Sequence, residues 1–158
     1  MLLICVVCSV ILNSILKALK LNENNIEALL MLARYKFNND DLEAAEKGKS
    51  YAEGILTKGV ERKKVTEEKK ADVLGRITTT ADYADLAGCD LIVEAVFEDP
   101  GIKAKVTEAT EAAIPEDAIF ASNTSTLPIT GLAEASSRPE NFIGLHFFSP
   151  VDKMLLVS

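Results

Sequence analysis

The residues able to do chemistry gather at three short places in this chain, each following an apolar run. Phe97-Glu98-Asp99 follows LIVEAV, Ser122-Asn123-Thr124-Ser125-Thr126 follows AIFA, and His146 closes FIGLH with Phe147-Phe148-Ser149-Pro150 after it. His146 is the single histidine of the sequence. Imidazole is the side chain best matched to taking a proton from an alcohol near neutral pH. A lone histidine on an apolar strand is ordinarily structural, however, and no acid stands beside this one. Two readings are equally open for the hydroxyl and amide cluster at 122–126. It can cap a helix and form a turn, or it can hydrogen-bond a ligand's carboxamide or hydroxyl. For Glu98 and Lys103 the plain reading is a solvated helix start with a surface ion pair. Glu94 lies within an apolar strand and so requires a partner inside the protein.

The elements that must position these residues read as α/β. Strands are expected near 76–78, 91–96, 118–121 and 142–146, and helices near 42–57, 83–87, 101–113 and 127–135. Short apolar runs alternating with helical patterns predict a parallel sheet. LIVEAV, apolar with one acid, suits a strand covered on both faces. Pro100 and Pro128 suit the first turn of the helices that follow them. The charged run at 61–70 reads as a solvated helix face and loop. In an open parallel sheet, ligands bind beyond the carboxyl ends of the strands, where all three clusters fall.

Before residue 41 the grammar differs. Residues 1–12 carry no charge but are too few for a membrane span, which needs roughly 20 residues, so a buried helix is expected there first and an interfacial or signal segment second. Ile11, Ile15, Leu16 and Leu19 share one helical face, residues 22–25 break the pattern, and Ile26, Leu29, Leu30, Leu32 and Ala33 resume it. KALKLNENNIEALLMLARYKFNNDDLEAA resembles a junction between tetratricopeptide repeats. A repeat remnant and a generic helical hairpin both fit, since solenoids need about three units to bury their faces. The expected division is a helical hairpin over 1–40 and an α/β part over 41–158.

Cys5, Cys8 and Cys89 are too few and too irregular for a disulfide framework and read as small buried hydrophobes in a reducing, cytoplasmic setting. A net charge of -7 argues against a nucleic-acid partner, and no membrane partner is expected.

VEAVFEDPGIKAKV, IFASNTSTLPIT and RPENFIGLHFFSPVDKM, in that order, resemble the NAD-binding domain of the 3-hydroxyacyl-CoA dehydrogenase family. The likeness is to the form found in multifunctional fatty-acid β-oxidation enzymes, and the upstream EKGKSYAEGILTKGVERKKVTEEKKADVLGRIT fits as well. It covers residues 41–157. The resemblance implies NAD as cofactor, a 3-hydroxyacyl-CoA substrate and oxidation to a 3-ketoacyl-CoA. It makes His146 the catalytic base and Ser125 a hydrogen-bond partner of the substrate hydroxyl or the nicotinamide. Ala95, Glu98, Lys103 and Ser149 fall where the family contacts NAD, Ser149 standing in place of a common Asn.

The sequence also departs from that family. Its members open with a strand, a Gly-x-Gly-x-x-Gly turn and a helix that hold the cofactor pyrophosphate. No such turn occurs here. The ribose-binding Asp that ends the family's second strand falls near 38–40, and the Glu that orients the catalytic His falls on Ser158. The helical C-terminal domain that closes the substrate cleft is absent. The expected fold is therefore an incomplete Rossmann-like parallel sheet with helices, preceded by a helical hairpin. A sheet lacking its first two strands would expose an edge, to be covered by the N-terminal helices, a second copy or a complementary chain. The expected protein is a gene fragment or fusion product with impaired or no activity alone. The alternative is a helical protein-interaction module carrying a non-catalytic dehydrogenase remnant.

Overall fold

The computed structural model describes residues 3–7, 28–32 and 42–147, with side chains from residue 45 onward. Among the described residues six strands form one sheet: β1 Leu3–Val7, β2 Ala28–Leu32, β3 Ile77–Thr80, β4 Leu91–Glu94, β5 Ile119–Ser122 and β6 Phe142–Gly144. Their order is β3-β2-β1-β4-β5-β6 and every pairing is parallel. The chain winds outward in both directions from β1, so a crevice for ligands is expected beyond the carboxyl ends of β1 and β4, where the winding reverses.

The α/β reading holds for the sheet, while two N-terminal segments differ from their expected state. Leu3–Val7 and Ala28–Leu32 are strands where helices were expected, and they take the two interior places that the sequence reading had left vacant. Periodicity cannot separate a short buried strand from a buried helix in so brief an apolar run. Pairing decides it: β1 lies between β2 and β4, in register Cys5↔Leu30 and Cys5↔Ile92. The rest of the expected hairpin, including residues 8–27 and 33–40, lies outside the described residues.

Helices cover both faces of the sheet. Helix α1 (Leu42–Glu61) and helix α2 (Glu67–Gly75) cover one face; α3 (Pro100–Glu111) and the short α4 (Ile129–Ala133) cover the other. The period-two alternation of strands divides the core accordingly. Val93 and Ala121 pack with Ala52, Val73, Ile77 and Phe147, whereas Ile92, Phe120 and Phe142 pack with Leu86, Val106, Ile114 and Leu132. Register places Ile92, Phe120 and Phe142 side by side across three strands. The two phenylalanine rings stack with centroids 5.3 Å apart. Cys89 is fully buried in the same cluster, as a small hydrophobe.

Local chemistry sets the helix boundaries. Asp99 accepts from the Ile102 N–H at 2.8 Å, and Pro100 occupies the first turn, so α3 starts one residue earlier than expected. Thr66 caps α2 through the Lys69 N–H at 3.1 Å. The α1–α2 turn is tight: a Cβ at Gly59 would sit 2.9 Å from Val65 Cγ2, and Lys63 takes φ 56°. Most of the charged run at 61–70 faces solvent, as its composition predicts. The expected helix at 83–87 is a 3-10 turn, Tyr83–Leu86, capped by Asp82. A second 3-10 turn, Pro139–Asn141, leads into β6.

Glu111 and Arg138 tie that lead-in to the end of α3. The Glu111 carboxylate accepts from the Ser137 N–H at 2.8 Å and both serine hydroxyls at 136 and 137, while the Arg138 guanidinium donates to the Glu111 and Pro115 carbonyls. Phe120 is 1% exposed at the centre of its cluster. Phe120→Ala should therefore cost about 3–5 kcal/mol, read in urea as a lower midpoint with an unchanged slope. A loss below about 1 kcal/mol would show that the β4–β5–β6 stack does not carry the core.

Candidate functional site

Because β4, β5 and β6 run parallel, their carboxyl ends meet at one edge, and each of the three sequence clusters follows one of them. The first feature of that edge is a buried ion pair. Glu94, the last residue of β4, is 1% exposed, and Lys103 on α3 is 2% exposed. Lys103 Nζ lies 2.8 Å from Glu94 Oε1 and 3.1 Å from Oε2. The same carboxylate accepts from the Val96 N–H at 2.6 Å and from the Ser122 hydroxyl at 2.7 Å. Burying either charge alone would be costly; paired and hydrogen-bonded on all sides, both are held. The bond to Val96 turns the chain, so β4 ends at Glu94 although the apolar run continues to Val96.

Glu98 organises the second layer of the edge. Its carboxylate accepts from the Thr124 hydroxyl at 2.8 Å and from the Ser125 N–H and hydroxyl at 2.6 and 3.0 Å; Lys103 Nζ stands 3.8 Å away. Partial burial pushes its pKa up, but the Ser125 N–H, the two hydroxyls and the Lys103 charge outweigh this, and the net shift is downward. An ionised carboxylate only accepts, so Ser125 directs its single hydroxyl proton at Glu98. Its oxygen lone pairs are left to accept from a ligand's N–H or O–H. Thr124 Oγ1 in turn accepts from the Leu127 N–H at 3.0 Å and shapes the turn into α4.

Asn123 and the end of β6 complete the edge. The Leu145 N–H donates to the Ser122 carbonyl at 3.0 Å, the last backbone bond between these segments among the described residues. One peptide past His146, the Phe147 N–H donates to Asn123 Oδ1 at 2.8 Å. His146 is half-buried. It lines, with Thr124, Ser125, Leu127, Ile129 and Gly144, an open cavity of about 510 Å³. A Cβ on Gly144 would meet Ile129 at 2.9 Å, so glycine is what lets α4 approach β6 at the cavity wall.

Of the residues singled out from the sequence, Ser125 and His146 come together on this cavity. Ala95 follows directly on β4, and Glu98 is 38% exposed beside Ser125. Lys103 is not the surface residue of the plain reading, because its ammonium is enclosed by Glu94, the Val96 carbonyl and Glu98. Glu94 has the interior partner its position required. Ser149, residues 38–40 and Ser158 lie outside the described residues. The contributions of Asn123 and Ser122 were not read individually from the sequence. The available signal was an amide and a hydroxyl directly after an apolar strand.

A nicotinamide-sized group fits this edge: the cavity opens beside a hydroxyl oxygen turned outward as an acceptor and a half-buried imidazole. The pyrophosphate end is different in sequence, since the first glycine of the chain is Gly48 and none follows β1 as a dinucleotide turn requires. A doubly wound parallel sheet with its polar residues at the strand ends is an architecture in which ligands, nucleotides among them, bind beyond the carboxyl ends of the strands.

Comparison with known proteins makes the class specific. Residues 25–158 match the family model of the 3-hydroxyacyl-CoA dehydrogenase NAD-binding domain. The chain belongs to this family. It is 50% identical over 108 residues to the fatty acid oxidation complex subunit alpha of Shewanella frigidimarina, covering 68% of this chain and 15% of that relative. The corresponding subunit of Acinetobacter baylyi is 51% identical over 110 residues, with 70% and 15% covered. Among solved structures, the (S)-3-hydroxybutyryl-CoA dehydrogenase of Ralstonia eutropha superposes with a TM-score of 0.84 at 32% identity, covering 98% of this chain and 52% of that one. The chain thus spans about 15% of the length of these curated relatives. No helix among the described residues is long and apolar enough to cross a membrane.

Two outcomes test the edge. Lys103→Met leaves Glu94 buried without its counter-charge and should cost about 3–5 kcal/mol, whereas Lys103→Met with Glu94→Leu should recover most of the loss; urea unfolding of both variants decides. The second outcome concerns pH. Glu98 and Glu111 have folded pKa values below their ordinary value of 4.5. The unfolded chain then binds more protons in the window below 4.5, so their stabilisation is complete above it and is lost as pH falls through the folded values. The Tm should fall below pH 4.5, and Glu98→Gln should make that fall shallower; an equally steep fall would remove Glu98 from the account.

Proposed function

We propose that this chain carries the proton-accepting, nicotinamide-facing side of a 3-hydroxyacyl-CoA dehydrogenase site. The observation that carries the reading is the meeting of His146 and Ser125 on one cavity at the carboxyl ends of β5 and β6. NAD, when bound, supplies the hydride acceptor. His146 takes the proton of the substrate's 3-hydroxyl as hydride leaves the same carbon, which becomes the ketone; the imidazolium then returns its proton to solvent.

That hydroxyl has one proton, and His146 receives it. The acceptor oxygen of Ser125 is therefore left for the N–H of the nicotinamide carboxamide, and Glu98 holds it in that sense. Ala95, at the turn after β4, and Ser149 are the remaining cofactor contacts in this reading. Lys103 acts through Glu94 and Glu98, without touching the cofactor. The substrate class is 3-hydroxyacyl-CoA.

A thermal melt with and without NADH tests the cofactor half. A ligand that binds only the folded state adds about 2.7 kcal/mol at one hundred times its Kd, so the Tm should rise by several degrees. A sharp transition that NADH leaves unmoved would sink the cofactor reading. For the base, NADH formation from a 3-hydroxyacyl-CoA should fall about 10²- to 10⁴-fold in His146→Gln, with the NADH-induced Tm shift retained. Equal turnover in wild type and variant would assign the proton to another group.

A further inference from the structure

We infer that Asn123 is the positioning residue for His146. This deepens the reading of His146 as the base and rests on it. The backbone ladder between β5 and β6 ends at the bond from the Leu145 N–H to the Ser122 carbonyl, 3.0 Å. Among the described residues no further backbone bond joins β5 to this segment beyond that point. Asn123 takes over with its side chain, accepting the Phe147 N–H at 2.8 Å. Asn123 is itself anchored to β4, since its own N–H donates to the Glu94 carbonyl at 2.7 Å. Phe147 is 7% exposed and packs into the core cluster of Val93 and Ala121, so its side chain and its N–H are both fixed.

The peptide between His146 and Phe147 is thus tied to the end of β5 by the Asn123 amide, and the peptide between Gly144 and Leu145 is tied to the same strand end by backbone. The two ties bracket His146 and restrict the backbone from which its imidazole leaves. The requirement for asparagine is specific. Serine is too short to reach, leucine has the shape but leaves the Phe147 N–H without an acceptor, and aspartate accepts the same bond while placing a negative charge beside the base. Asn123 is not among the residues that line the cavity; it acts through the backbone of His146.

The test uses the full chain with labelled histidine, in which the one imidazole gives one set of ring signals. In the wild type the Phe147 amide should be protected from hydrogen exchange, and the ring should give a single resonance that NADH shifts. Asn123→Leu should speed Phe147 exchange about tenfold or more and broaden or split the ring resonance. Asn123→Asp should restore slow exchange and a single resonance. Should Asn123→Leu fail to fold, the wild type and Asn123→Asp decide. A Phe147 amide that exchanges at the unfolded rate in the wild type overturns the proposal, as does an aspartate variant that restores neither signal. An unmoved ring and amide in a folded Asn123→Leu overturn the positioning role alone. Turnover untouched by His146→Gln overturns the base, and the positioning role with it.

Discussion

A carboxylate and an ammonium enclosed inside the sheet's ligand-facing edge constrain everything built on that edge. Glu94 and Lys103 are buried to within a few percent of completely. Neither charge is tolerable there without the other, nor without the hydrogen bonds that complete their shells. Those bonds run in three directions. The Val96 N–H stops β4, the Ser122 hydroxyl fixes the end of β5, and the stem of Lys103 fixes α3 against both. Removing the charges together would leave packing intact; removing one would disturb all three elements at once.

Function is arranged outward from this pair in a chain of polar contacts. Lys103 stands between Glu94 and Glu98, and Glu98 receives Thr124 and Ser125. The consequence is chemical as well as mechanical, because a carboxylate that takes the Ser125 proton turns that oxygen into an acceptor toward the cavity. In parallel, Asn123 carries the order of β4 and β5 to the segment after β6. An acceptor and an imidazole reach the same cavity from different strands.

Much of this was legible beforehand, and the reasons for the remainder are physical. The strands β4 to β6 announced themselves by apolar runs of the right length, and the polar residues after each run marked the site. Glu94 could be read as needing a partner because an acid inside an apolar strand has nowhere else to go. Its partner could not be read, since Lys103 looked like a surface residue at a helix start and only tertiary packing encloses it. The N-terminal runs LICVV and ALLML suggest helices in the sequence alone, because five apolar residues carry no decisive period. Their strand character comes from neighbours on either side, more than twenty residues apart in sequence for each pairing.

What the sequence by itself determined was the α/β class, the family through three long motifs in order, and the identities of the groups able to accept a proton or a hydrogen bond. These depend on local pattern and on residue chemistry, which a linear string contains. The tertiary structure decided which of those groups meet. It turned Lys103 inward, directed the Ser125 proton at Glu98, and set Asn123 as the tie behind His146. Each of these depends on distances between residues far apart in the chain, and parallel pairing fixes such distances only when the whole sheet has assembled.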